Sequence, residues 1–191
     1  SWSNIQKLGK NINTEYWESH AHISADNKKL YFTSNREGGH GSLDIYVSER
    51  QPDNSWGKPT NLGAPVNTEW KEDTPFLTDD QQTLFFSSEG HRNIGGFDVL
   101  VSQKTSAGWS QPRNLGYPIN TTDDDLFFVP VKNGNQGYYA RYHKNAPGQR
   151  DIFLYSISNL HEIDPLSVEG ILTYDNPEQQ NKKRFEIHLI N

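Results

Sequence analysis

"NTEWKEDTPFLTDDQQTLFFSS", residues 67–88, sets five carboxylates (Glu69, Glu72, Asp73, Asp79 and Asp80) ahead of paired phenylalanines. Taken alone it reads as an acidic active site or a cation site. Self-comparison changes the reading, because a fixed period alters what every motif inside it means. "NTEYWESHAHISADNKKLYFTS" at residue 13 and "NTTDDDLFFVPVKNGNQGYYAR" at residue 120 align with it without a gap, at offsets of 54 and 53. In each copy an Asp follows the Asn of "NT" by 31 residues, giving Asp44, Asp98 and Asp151.

The period runs on through "LDIYVSE", "FDVLVSQ" and "RDIFLYS" to "SWGKPTNLG" and "GWSQPRNLG", with a degenerate "SWSNIQKLG" at the start. Trp2, Trp56 and Trp109 keep the same spacing. Each unit reads as four short strands: "HAHI", "TPFL" or "FFVP"; then "LYFTS", "LFFSS" or "GYYAR"; a third after the repeated Asp; a fourth starting at the repeated Trp. Polar stretches such as "SADNKK" and "TDDQQT" between the first two are hairpin turns. Gly-rich loops before each third strand allow positive φ or close backbone approach. Four-stranded units repeating every 40–50 residues or so are the pattern of β-propeller blades, whose sheets bury their faces against one another. The expected fold is therefore all-β: three four-stranded repeats of 53–54 residues, part of a larger propeller, followed by the start of a β-sandwich. Blades are expected at about 13–66, 67–119 and 120–160, with 1–12 the outer strand of a preceding or closing blade and the repeated aromatics filling the spaces between sheets. Residues 161–191 break the period, with strand candidates at Val168–Tyr174 and Phe185–Ile190.

Composition narrows the function. Only 32% of the 191 residues are hydrophobic, so the five Trp, nine Tyr and nine Phe must supply much of the buried area. A net charge of -6 without a basic cluster argues against a nucleic-acid partner. No Cys is present, which removes disulfides, thiolate zinc sites and cysteine nucleophiles. No apolar run reaches the roughly 18–20 residues of a membrane span. Met is absent too, so the chain is expected to be a processed product or an excised segment.

The pattern W-x-x-P-x-N-L-G-x-x-(I/V)-N-T, an acid, an apolar strand, a polar turn, L-(Y/F)-F-(S/T)-S, a Gly-rich loop and D-(I/V)-Y resembles the TolB-type, WD-like propeller repeat over residues 1–160. Its "NLG" and "INT" version is most similar to that of large OmpA-family envelope proteins of the Bacteroidota, among them type IX secretion components. "VEGILT" resembles the opening of the carboxypeptidase-regulatory-like β-sandwich that follows the propeller there, which implies a linker and first sandwich strands at 161–191. The resemblance implies a non-enzymatic, periplasmic or outer-membrane-associated interaction module. Its partners would be other envelope or secretion-system proteins, with peptidoglycan held by a domain absent from this chain. Accessory propellers of hydrolases and glycan-binding propellers are the rival readings.

An acid recurs at Glu18, Glu72 and Asp125, and catalytic groups are normally needed once per site, so these are expected to accept backbone N–H bonds at blade corners. Asp44, Asp98 and Asp151 are expected to brace the loop before the third strand. Asp73 and Asp79 have unlike counterparts and read as solvated turn residues. "DDD" at 123–125 lacks the calcium-loop pattern. His20 and His22 alternate along one strand and would share a face, as two metal ligands do, but no third ligand suggests itself. No catalytic residue, metal or cofactor is therefore assigned. Trp17 and Trp70 are candidates to stack on sugars or a partner, although packing against the adjacent blade is the expected reading. Three sheets do not close a ring, which takes about 4–8 blades. Further blades are expected before Ser1, or a second chain closes the ring as a dimer.

Overall fold

A computed structural model describes residues 4–131, 134–141, 151–156, 167–168 and 187–188, and the chain divides into two units, Ser1–Ser158 and Asn159–Asn191. Every described element of regular length is a strand, as the alternating pattern requires. The first sheet is an antiparallel meander of β1 (Glu18–Ile23), β2 (Lys29–Ser34), β3 (Asp44–Glu49) and β4 (Thr60–Asn61). In the second, β5 (Glu72–Leu77), β6 (Thr83–Ser88) and β7 (Asp98–Thr105) are followed by β8 (Gly108–Trp109), which folds back on the end of β7, and by β9 (Arg113–Asn114) on its flank. The third comprises β10 (Val129–Val131), β11 (Gln136–Arg141) and β12 (Asp151–Ser156). In the second unit β13 (Ser167–Val168) pairs antiparallel with β14 (Ile187–His188), and the remainder of the two strands expected there lies outside the described residues.

The hairpin turns close as their sequence suggests. Asn27 and Gln81 take positive φ, while Asp26 and Asp80 each accept a hydroxyl and an amide from their own turn. The fourth strands start at the repeated Trp but are interrupted. Trp56 bridges Arg50 and Gly108–Trp109 pairs with the end of β7, and pairing resumes only at Thr60 and Arg113, directly after Pro59 and Pro112, because a residue without an N–H cannot extend the ladder.

Sheets one and two bury Tyr31, Ile45, Leu77, Leu84, Phe86 and Leu100 between them. Sheets two and three meet through Phe85 and Phe128, whose rings lie 5.2 Å apart, with Tyr155 stacked 4.4 Å from Phe128. Here the repeat compensates within itself. Where the first two sheets carry Leu30 with Ser48 and Leu84 with Ser102, the third carries Gly137 with Tyr155, and a Cβ on Gly137 would fall inside the Tyr155 ring. One large residue per pair fills the same space.

Backbone joins the blades as well. Glu72 N–H donates to Leu43 O at 2.8 Å, Asp125 N–H to Phe97 O at 2.7 Å, and Ser42 N–H to Trp70 O at 3.0 Å. This approach explains a glycine that recurs three residues before the repeated Asp: a Cβ on Gly41 would press on the carbonyls of Thr68 and Trp70, and one on Gly95 on those of Thr121 and Asp123. Neither glycine has positive φ, so closeness of chain rather than handedness selects it.

Trp56 and Trp109 correct the expectation of full burial between blades. Both are half-buried; Trp56 rests on Ile12, Leu30, Phe32 and Tyr46, Trp109 on the first inter-sheet cluster, with Arg50 and Lys104 each 5.9 Å from the respective ring centre. Trp2 lies outside the described residues. Because part of each ring stays in water, Trp56→Ala and Trp109→Ala should each cost about 2 kcal/mol in urea unfolding rather than the 3–5 of a fully buried ring. Gly95→Ala should cost roughly 1–3 kcal/mol by forcing two carbonyls aside, whereas Gly9→Ala, with open space around it, should leave the midpoint in place.

Candidate functional site

The repeated polar residues converge where the chain leaves one blade and enters the next. Asn67, of "NT", lies side-on to β3: its Oδ1 accepts Ile45 N–H at 3.0 Å and its Nδ2 donates to Ile45 O at 2.9 Å. Asn120 treats Val99 the same way, both bonds 2.8 Å. The Nδ2 of each also donates to the Asn of the preceding "NLG", Asn67 to Asn61 at 2.8 Å and Asn120 to Asn114 at 2.7 Å. Those asparagines in turn donate to the repeated aspartates, Asn61 to Asp44 at 2.8 Å and Asn114 to Asp98 at 2.6 Å. Asp44 also accepts the amides of His40 and Gly41, and Asp98 those of Ile94 and Gly95. Third strand, preceding loop, fourth strand and exit linker are thereby tied at one point. Asp151 is half-buried and pairs in register with Arg141, and the loop before it lies outside the described residues.

The repeated acids close the entry turn. Glu72 accepts Thr68 N–H at 2.8 Å, Thr68 Oγ1 at 2.6 Å and Ser88 Oγ at 2.7 Å. Glu18 accepts the same groups from Thr14 and Ser34, and Asp125 both from Thr121. Their surroundings set their titration apart. Burial pushes Glu72 above the ordinary carboxylate value and outweighs its bonds from Thr68 and Ser88. Burial likewise raises Asp125 against the bonds from Thr121, with the charges of Asp98 and Asp123 adding to the rise. Burial also opposes ionisation of Glu18, but the bonds from Thr14 and Ser34 and the positive charge of Arg36 prevail and hold it low. Arg36, 3.3 Å from Glu18, has Gly90 as its counterpart in the second copy.

Other acids and the histidines fall differently from expectation. Asp73 is not a solvated turn residue. It is buried in the first strand of the second sheet, where its Oδ1 meets His20 Nδ1 at 2.6 Å, Thr33 Oγ1 at 3.0 Å and Thr74 N–H at 2.8 Å. Glu69 and Asp79 are exposed. Asp124 accepts Phe97 N–H at 3.1 Å, and Asp123 is exposed. Simple alternation does not set the spacing of His20 and His22, because β1 carries a bulge between Ser19 and His22; both reach β5, but four residues apart along it, at Asp73 and at Leu77. The bulge is itself repeated in β5, and His20, Thr74 and Phe127 all sit at positive φ. His22 turns instead to Leu77 O at 3.0 Å and to the Phe76 ring; burial keeps its imidazole below the ordinary value, against the pull of Leu77 O and Asp79. Among the described residues no three His, Asp or Glu side chains converge as metal ligands, and no helix is long and apolar enough to cross a membrane.

Trp17 and Trp70 also depart from the expected packing, standing 62% and 56% exposed. Their backbones are fixed: Trp17 N–H donates to Asn35 Oδ1 at 2.8 Å and Trp70 N–H to Thr68 Oγ1 at 3.1 Å. A pocket of about 420 Å³ beside the first sheet is lined by Lys10, Arg36, Glu37, Tyr46, Lys58 and Asn61 among others. Its charges are mixed, and the buried Tyr46 hydroxyl has no hydrogen-bond partner.

Sequence reading named the repeated acids but passed over Asn61, Asn67, Asn114 and Asn120. They stood in the same repeated motifs as consensus letters, and their offset of 53 was the available signal. The His20–Asp73 pair had no such signal, since neither residue repeats.

No known family profile matches the chain, nor does any curated protein. Among solved structures it is similar to the crystal structure of TolB from Acinetobacter baumannii, with 19% identity and a TM-score of 0.48, over 71% of this chain and 29% of that one. The chain thus spans less than a third of that protein's length, and the all-β architecture rests on the chain's own sheets.

The opposite shifts of equivalent acids give a pH test. A carboxyl raised by folding stabilises below its ordinary value and loses that contribution as pH rises through it; a lowered one gains on the same path. Between about pH 3.5 and 7, spanning the carboxylate range, the urea-measured cost of Glu18→Gln should therefore grow while that of Glu72→Gln shrinks. Parallel changes would show that Arg36 and burial do not separate the two sites.

Proposed function

We propose that this chain is a non-enzymatic scaffold, a set of propeller blades from a periplasmic, peptidoglycan-associated envelope protein of the Bacteroidota OmpA family, resembling the type IX secretion component PorE. The observation that carries the reading is how the recurring polar groups are used. Glu18, Glu72, Asp125, Asp44 and Asp98 spend their oxygens on amides and hydroxyls of their own turns and loops. Such groups hold loops in place, and rigidly held loops on a β scaffold are what a binding module presents to partners. Partners would be other envelope or secretion-system proteins. Anchoring to peptidoglycan would fall to a domain outside this chain, and the blades would belong to a larger propeller.

Glycan binding is the second reading, favoured by the exposure of Trp17 and Trp70 on fixed backbones, since an exposed indole offers a flat face to a sugar ring. Purified chain should be incubated with envelope extract under crosslinking and, separately, with peptidoglycan sacculi. The scaffold reading expects capture of envelope proteins and no sedimentation with sacculi. Sacculus binding abolished by Trp17→Ala or Trp70→Ala would replace it with the glycan reading, and turnover of peptide or ester substrates would overturn both.

A further inference from the structure

An antiparallel meander sends its connections to two ends, and in this chain the two ends differ. At one lie the hairpin turns 24–28, 50–55, 78–82 and 106–107, built from Ser, Ala, Thr, Pro, Asn, Gln, Asp, Lys and Arg. At the other lie the loops before the third strands, 35–43 and 89–97, and the linkers between sheets, 62–71 and 115–125. That linker end carries Trp70, Ile94 and Tyr117, which are 56%, 48% and 67% exposed. All three border the second blade, which has a sheet packed on either side, so they are not part of a sheet face left bare.

The repeat does not require them. Ile94 stands where the first blade has His40, and Tyr117 where it has Ala64. Loop and linker are neighbours: His40 Nε2 lies 3.6 Å from where a Cβ on Gly63 would fall, and in the second blade Asn114 Nδ2 donates to Arg92 O at 2.9 Å. The backbone beneath the three side chains is also fixed. Ile94 N–H donates to the buried Asp98 carboxylate, Trp70 N–H to Thr68 Oγ1, and Gly116 N–H, just before Tyr117, to Asn114 Oδ1 at 2.7 Å. Exposed apolar groups on fixed backbone have little ordering entropy left to lose on binding.

We propose that the linker end of the second blade is a docking surface, and that its occupant is a segment of a partner protein in which an apolar side chain is flanked by Lys or Arg. The charge around the apolar residues selects that chemistry. Glu69, Asp123 and Asp124 are exposed on the entry turns at the two borders of the blade. Lys71 is committed to Glu89 at 2.9 Å and lies 5.9 Å from the Phe97 ring centre, and Arg92 is the other cation of these segments. Carboxylates therefore outnumber cations on the rim, which attracts a basic segment and repels an anionic lipid surface. The inference deepens the scaffold reading, on which it rests, by naming the end and the chemistry with which a partner is held.

Random peptides displayed on phage and panned on the purified chain test it. Enriched sequences should pair Lys or Arg with an apolar residue, and a synthetic peptide of that consensus should bind more weakly as salt rises. Ile94→His and Tyr117→Ala give the second blade the residues that the first already carries, so circular dichroism and melting should stay like the wild type while each weakens the peptide's Kd about tenfold. Glu69→Gln combined with Asp123→Asn, both at exposed positions, should remove most of the salt dependence, and Asp79→Ala at the turn end should change nothing. No enriched peptide, a consensus without basic residues, or a Kd indifferent to Ile94→His and Tyr117→Ala would each overturn the proposal, as would binding to phosphatidylglycerol vesicles that those two substitutions abolish. Capture of envelope proteins that survives both substitutions would overturn this surface and leave the scaffold reading standing; a wild-type chain that captures none would overturn both.

Discussion

Asn67 and Asn120 bind the backbone of a neighbouring strand as if each were one more residue of the sheet. Each gives and takes one bond with a single residue, Ile45 or Val99, and spends its remaining amide hydrogen on the Asn of the exit linker. Both side chains are buried. A buried amide left without partners costs about 1–3 kcal/mol per group, so the linker is held to one path. That path fixes the rest: the next residue is the Thr of the entry turn, four residues on comes the acid that closes it, and the acid's own amide binds the preceding blade. A crossover that would be a loose loop thus sets the placement of each sheet on the one before it.

Hydrophobic packing then works within that placement and tolerates exchange. Leu84 with Ser102 becomes Gly137 with Tyr155 without opening a gap, because the strand register already places the two positions side by side. The first strands of the sheets show the reverse. Their bulges recur in β1 and β5, yet the side chains there are His20, Thr74 and Phe127, and the first of these forms the His20–Asp73 pair across two blades. Geometry is repeated at those positions while chemistry is free to vary, the arrangement expected of a scaffold whose local features differentiate individual blades.

Much of this was legible in the sequence, for a physical reason. A repeat whose sheets share one packing geometry must reuse the same residues at the same spacing, so three aligned copies exposed the strands, turns and corner acids together. Departures arose where meaning depends on a neighbouring blade. Asp73 looks like a turn residue beside Ser19 and Leu126, and only the approach of His20 and Thr33 buries it. The Trp residues recur at full spacing, but recurrence does not report depth, and cations lying over their rings occupy the outer edge. The fourth strands pair at the Trp and again four residues on, with a break between, because Pro59 and Pro112 lack the N–H that an unbroken ladder would need. Equivalent acids titrate in opposite senses chiefly because Glu72 is buried more deeply than Glu18, a depth that aligned letters do not report, with the guanidinium of Arg36, whose counterpart is Gly90, adding to the hold of the Thr14 and Ser34 bonds on Glu18.

The claim that the linker amides and corner acids hold the blades in place is tested most directly by native-state hydrogen exchange, read amide by amide. Ile45 and Val99 donate to the Asn side chains, and Glu72 and Asp125 donate across to the preceding blade. If these contacts are the lock, all four amides exchange only through global unfolding, with the same free energy as the centres of β2 and β6. Exchange of Glu72 and Asp125 by local opening well below that level, with strand centres still protected, would mean that the blades stay together by packing alone and would contradict the account.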